Sequence, residues 1–215
     1  MPPITEKENE MGKREIVARC AMLAAGVAVL AGAATAATAA EQDEDIDVTV
    51  QIAEIDEPGA LAMSVAGSSV ALTENGSTST VRQFTGSLPT VTITDTRTAD
   101  EIPEGAFWYV LGSASSFTGD GGQPEISAAN LGWAPELLDG GESGLVSEGD
   151  PVETVLDEGP NNVGLVDREL LAMAADSGML AEEGAWTVTA DLFLRTPSTV
   201  VPGSYASVLT LSLFE

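Results

Sequence analysis

Trp108, Tyr109 and Trp133 are the side chains of this sequence best suited to recognition chemistry. A sugar ring presents a C–H face that packs on an aromatic ring, and aromatics are scarce here, at 3 Trp, 2 Tyr and 5 Phe, so an exposed ring is informative. Trp108 and Tyr109 are neighbours on an extended segment and must point to opposite faces, one of them toward the core. Trp133, in NLGWAP ahead of Pro135, falls in a stretch that reads as irregular and is expected to be an exposed platform. Trp186 is expected to be a buried anchor. Asp95 in TITDTR and Asp191 in TADLF are the two acids whose positions suit a core-edge site. A glycan hydrolase would need such carboxyls about 5–5.5 Å apart for retention or roughly 6.5–9.5 Å apart for inversion. Asp95, two residues before Arg97, reads better as half of an ion pair. Two acidic clusters, Asp43/Asp45/Asp47 and Glu148/Asp150/Glu153, offer oxygens for calcium but lack the EF-hand spacing, and read as solvated surface. No metal site is assigned, and weakly held calcium is the one cofactor they could supply.

The missing residue types narrow the chemistry further. The chain has no His, a single Cys at position 20, and 34 acidic against 8 basic residues, for a net charge of −26. Residues 1–40 hold Glu6, Glu8, Glu10 and Glu15 against Lys7, Lys13, Arg14 and Arg19. These cancel, so the remainder keeps the whole net charge, and its only cations are Arg82, Arg97, Arg168 and Arg195. With no His, Cys or Lys beyond residue 40, that part cannot form a Ser-His-Asp or Cys-His nucleophile, a His- or Cys-ligated zinc site, or a lysine Schiff base. Disulfides are equally out of reach. Nucleic acid is an unsuitable partner, because phosphate recognition needs a basic face. Non-enzymatic binding is the reading that remains.

Residues 1–40 are expected to be a signal peptide. Lys13, Arg14 and Arg19 form a positive start, an Ala- and Gly-rich apolar run begins at Ala21, and Ala37-Thr38-Ala39 is a small-x-small cleavage site. The run falls short of the roughly 20 strongly apolar residues that span a bilayer. Initiation at Met11 would give the segment a more usual length. Residues 41–47, EQDEDID, are an acidic linker.

The elements that must position any site follow a period of two. Alternating apolar positions predict strands over 46–51, 60–65, 80–84, 90–94, 106–117, 185–194 and 205–213. Trp186, Val188, Ala190, Leu192 and Leu194 share one face, as do Tyr205, Leu209, Leu211 and Leu213. Turn clusters such as Glu57-Pro58-Gly59 and Val201-Pro202-Gly203 separate them. The expectation is an all-β, antiparallel β-sandwich with Greek-key-like connections, one domain over 46–215. Residues 167–175, DRELLAMAA, fit a strand or a short helix. Residues 136–164, rich in Gly, Asp and Glu, read as a long surface excursion.

The stretch FTGSLPTVTITDTR, the following GAFWYVLGSASSF, and the closing GAWTVTADLFLRTP and VVPGSYASVLTLSLFE resemble the WxL family of Gram-positive surface domains. In that family a strand ending V-T-D-T-R leads into a Trp-x-Leu strand, and a second Trp-x-Leu closes the chain. The first motif here is Trp108-Tyr109-Val110-Leu111, one residue longer, and the second is Leu211-Ser212-Leu213, with Leu in place of Trp. The resemblance implies a secreted protein at the cell surface that binds non-covalently to wall peptidoglycan or to another surface protein. No LPxTG motif precedes the final residues, which agrees with non-covalent attachment. The alternative is a structural subunit of a surface layer or fibre, joined through an exposed sheet edge.

Overall fold

Between Ala185 and Pro197 every second side chain, from Trp186 to Thr196, is buried, and Asp191 between them is exposed. This is the strand on which the fold is built. A computed structural model describes residues 57–215; the expected signal peptide, the acidic linker, the 46–51 strand, Cys20 and the Asp43/Asp45/Asp47 cluster lie outside the described residues. In chain order the strands are β1 (Leu61–Val65), β2 (Thr73–Glu74), β3 (Val81–Ser87), β4 (Val91–Asp95), β5 (Tyr109–Ala114), β6 (Thr118–Gly119), β7 (Leu131–Asp139), β8 (Val146–Glu148), β9 (Glu169–Ala174), β10 (Ala185–Pro197), β11 (Tyr205–Ala206) and β12 (Leu209–Phe214). Helical structure among the described residues is confined to single 3-10 turns at Ala128–Asn130 and Gly178–Leu180. None of these is long and apolar enough to cross a membrane.

The first sheet is centred on β10. Along one edge β3 and β4 act as a single strand broken at Leu88-Pro89-Thr90, since Pro89 has no N–H for the ladder. The break is bridged, because Leu88 N–H donates to the Ala190 carbonyl at 2.8 Å and Thr189 Oγ1 donates to the Leu88 carbonyl at 2.6 Å. β1 and β2 pair with the far sides of β4 and β3. Val188 pairs with both Val91 of β4 and Leu137 of β7, so β7 must occupy the opposite edge of β10. The second sheet runs β12-β5-β9-β8, and β6 and β11 form a small ribbon. Every pairing is antiparallel. The chain crosses between the sheets from β4 to β5, from β5 to β7, from β7 to β8, from β9 to β10 and from β10 to β12. The result is the antiparallel β-sandwich that the alternation predicts.

The inner faces meet on three indoles. Trp108 and Trp186 lie tilted at 42° with centroids 5.4 Å apart, and each is essentially inaccessible. Trp133, from β7 in the first sheet, rests on Gly112 of β5 in the second. A Cβ built on Gly112 would stand 2.5 Å from the Trp133 ring. Glycine is therefore required there to let the sheets close. Gly112→Ala is expected to cost about 1–3 kcal/mol, as other overpacked cores do, with the loss read in urea unfolding; an unchanged midpoint would show that the indole can shift freely.

Three sequence expectations change. The 136–164 excursion is partly ordered as the end of β7 and as β8, and Val152, Thr154 and Leu165 are buried. Residues 167–175 resolve to a strand, β9, whose register slips opposite Val110 and Leu111, so that Leu171 and Ala172 both face inward. Trp133 is not in an irregular segment but within β7, at 0% exposure. Pro135 does not end the strand because β7 is at the sheet edge, where a missing N–H is tolerated.

Candidate functional site

Alternation along the run into β5 places Trp108 and Val110 inward and Phe107, Tyr109 and Leu111 outward. The register then sets Phe214 of β12 directly opposite Tyr109 on one side and Met173 of β9 on the other. Cross-strand neighbours of this kind are close enough for their rings to pack. Tyr109 and Phe214 stack with centroids 5.2 Å apart at 16°, and Phe107 and Tyr109 lie 5.9 Å apart at 26°. The three rings form a strip on the solvent side of the second sheet. Phe107 is 45% exposed at one end, and Tyr109 and Phe214 are half-buried.

Arg168, just before β9, closes the strip, its guanidinium carbon 5.4 Å from the Phe214 ring centroid in cation–π range. Among the described residues Arg82, Arg97 and Arg195 are each held by carboxylates, while Arg168 forms no ion pair and is exposed. Its donors are available to a ligand. Asp167 and Glu169 flank it, and the Glu169 carboxyl is held above its ordinary value by burial and, less strongly, by the Asp167 charge. The site is thus a stepped aromatic platform, its rings offset-stacked on one another, with one cation and an acidic surround. Its exposed ring surface, greatest at Phe107, can pack on the apolar face of a neutral ring, and Arg168 can hydrogen-bond its hydroxyls. A polyphosphate would meet repulsion from the surrounding carboxylates.

Of the side chains singled out in the sequence, only Tyr109 belongs to this platform. Trp108 and Trp133 have no accessible surface, so neither indole offers a face to a sugar; both are core residues. Alternation along β5 sends Trp108 inward, and Trp133 faces inward from β7 onto Gly112. Phe107, Phe214 and Arg168 were not singled out. Phe107 and Tyr109 are two apart, and Phe214 follows a run whose Leu209, Leu211 and Leu213 face inward, so the alternation did place both on the outer face. What the sequence lacks is the pairing of β12 with β5, which joins them.

The remaining acids do other work. Both Asp95 oxygens are taken by Arg97, at 2.8 Å to Nε and 2.6 Å to Nη2, and Asp95 faces inward from β4. Asp191 faces outward from β10 and accepts from Ser87 Oγ at 3.2 Å. The two carboxylates are on opposite faces of one sheet and cannot flank a common bond. Glu153 pairs with Arg195 at 3.1 Å, alongside Asp157 at 2.5 Å. Among the described residues no three acids gather as a metal site, and Glu148, Asp150 and Glu153 do not come together. No protein-family model, curated protein or solved structure matches the chain.

Proposed function

We propose that this is a secreted, non-enzymatic binding domain that attaches non-covalently to the cell wall or to an envelope partner through the Phe107–Tyr109–Phe214 strip and Arg168. The observation that carries this reading is the strip itself: three rings stacked side by side on the solvent face, with the one arginine among the described residues that lacks a carboxylate partner at its end. Isolated exposed apolar residues are ordinary on protein surfaces, but a contiguous aromatic row beside a free guanidinium has the composition of an interface centre. The signal-like residues 1–40 and the resemblance to WxL domains supply the setting, the surface of a Gram-positive cell. The excess of acid on the chain favours the uncharged sugar face of the peptidoglycan strand over the anionic wall polymers.

A pull-down of the protein on purified Gram-positive walls tests this directly. Tyr109→Ala and Arg168→Ala are each expected to weaken binding about tenfold, corresponding to about 1.4 kcal/mol, with thermal unfolding nearly unchanged for the exposed Arg168 and modestly lowered for Tyr109, whose half-buried ring stacks on two others. Binding equal to wild type in both variants would remove the strip from the site, and no binding by wild type at physiological salt would remove the wall.

A further inference from the structure

A large cavity among the described residues lies away from the strip and shares none of its residues. It occupies about 1020 Å³ between the inner face of β3 and β10 and the chain from Val200 to Leu211, and it is open to solvent on one side. That volume is at the upper end of what small-molecule sites use. Its walls are mainly apolar, with Met63, Leu72, Phe84, Leu88, Leu192 and Leu194 in the lining. Its mouth is apolar as well, for Val65, Val70, Val201 and Val208, all strongly exposed, belong to the same lining. A sandwich closed on its own core would not keep these side chains around an open volume.

Polar side chains also line the cavity, with Ser68, Ser69 and Ser204 exposed, and among them Thr196 is the one that is buried without a hydrogen-bond partner. Thr196 continues the inward row of β10 beyond Leu192 and Leu194, is 1% exposed, and its Oγ1 has no hydrogen-bond partner. A buried hydroxyl without a partner is costly, and a ligand or an ordered water at the cavity wall would satisfy it. Opposite it in the register is Arg82, which could have been an anion-binding cation. Its guanidinium is already closed on Glu74 through two hydrogen bonds of 3.0 and 2.7 Å and lies 5.1 Å from the centroid of the Phe84 ring. Arg82's hydrogen bond, helped by Ser77, pulls the Glu74 carboxyl down to about 2, so the pair stays ionised and mutually satisfied through the ordinary pH range. No free charge faces the cavity from that side.

We propose that this cavity binds a neutral amphiphile, an apolar chain or ring system carrying one hydroxyl or carbonyl group that meets Thr196 Oγ1. The apolar walls take the body, Thr196 takes the polar group, and the neutralised Arg82–Glu74 pair together with the acidic surface selects against a carboxylate headgroup. This site is independent of the wall-binding strip, so either can fail without the other.

The test uses the full chain and Nile red, a neutral dye that brightens in apolar surroundings, displaced by decan-1-ol, decane or decanoate. Saturable one-site dye uptake is expected, with decan-1-ol displacing at least tenfold more effectively than decanoate. Leu194→Trp combined with Leu72→Trp, which narrows the cavity from two sides, is expected to weaken dye uptake at least tenfold; if that variant does not fold, Leu72→Trp alone is expected to weaken it in the same direction. Thr196→Val keeps the shape and removes the unpartnered hydroxyl, so it is expected to melt no lower than wild type and to bind decan-1-ol fivefold to tenfold more weakly, with decane unaffected. The proposal is overturned by absence of saturable dye uptake in wild type. Uptake at wild-type affinity in a folded cavity-narrowing variant, or decan-1-ol binding untouched by Thr196→Val, overturns it as well.

Discussion

Arg97→Ala is expected to lower folding stability by about 3–5 kcal/mol at pH 7, the range found when one partner of a buried ion pair is removed. Asp95, at the inward-facing end of β4, has a side chain only 2% exposed, and Arg97 is its sole cation. The same guanidinium reaches Glu215 at 2.7 Å, so it ties the end of β4 to the last residue of the chain just beyond β12. Burial works against the Asp95 charge, and the side-chain and backbone hydrogen bonds from Arg97, with its positive charge, outweigh burial, so the carboxyl sits below its ordinary 3.8. Because the folded-state value is depressed, this pair stabilises the fold above the unfolded value and loses that contribution as pH falls through the folded one. In Arg97→Ala only the backbone N–H of residue 97 is left to oppose the burial cost, so Asp95 shifts upward and the variant is penalised most where the carboxyl must be ionised. The gap between the two proteins is therefore expected to be widest near neutrality and to narrow below about pH 4. Urea unfolding at pH 7, 5 and 3.5 measures it. A gap independent of pH would mean that the loss is one of packing by the arginine stem. Asp95→Asn, which keeps the shape and leaves Arg97 paired with Glu215, is expected to cost less.

The ion pair was legible in the sequence because Asp95 and Arg97 are two residues apart, and local pairs can be read from spacing. The long strand β10 and the inward row from Trp186 to Leu194 were legible for a related reason: a period of two over thirteen residues leaves one choice of buried face. Tyr109 was placed on the face opposite Trp108 by the same rule. The aromatic strip needed more, since Phe214 is brought beside Tyr109 by the antiparallel register of β12 against β5, and register is set by partners distant in sequence. The cavity needed more still. Thr196 sits at the end of an alternating row in which a hydroxyl after two leucines reads as the strand's polar terminus, whereas the fold buries it without a partner. Trp133 failed for a local reason. Pro135 and Gly132 suggest a loop, yet Gly132 is in close approach to Phe193 and the Val152 carbonyl, and Pro135 occupies an edge strand. The same residues that break isolated strands are here what lets β7 pack closely.

Trp133 accordingly carries the second large effect, and it separates a core residue from a binding residue. Trp133→Ala is expected to cost about 3–5 kcal/mol, the usual loss for truncating a buried tryptophan. For a domain of this size that is a fall in Tm of about 6–20 °C. The indole fills the space over Gly112 between the two sheets, and with no Cβ on that glycine nothing nearby can close the hole. Trp133→Phe is expected to cost markedly less than its lost volume suggests. The indole Nε1–H is buried without an acceptor, so replacing it removes an unsatisfied donor along with the second ring. Trp186→Phe provides the contrast, because its Nε1 donates to Glu183 at 2.9 Å and that bond would be lost with the ring. The expected order of destabilisation is Trp133→Ala first, then Trp186→Phe, then Trp133→Phe, read from thermal and urea unfolding of each variant. Trp133→Phe should also bind purified walls as wild type does, whereas Tyr109→Ala should not. A Trp133→Phe variant as stable as wild type yet unable to bind would place the indole in the recognition site, against its position under the sheets.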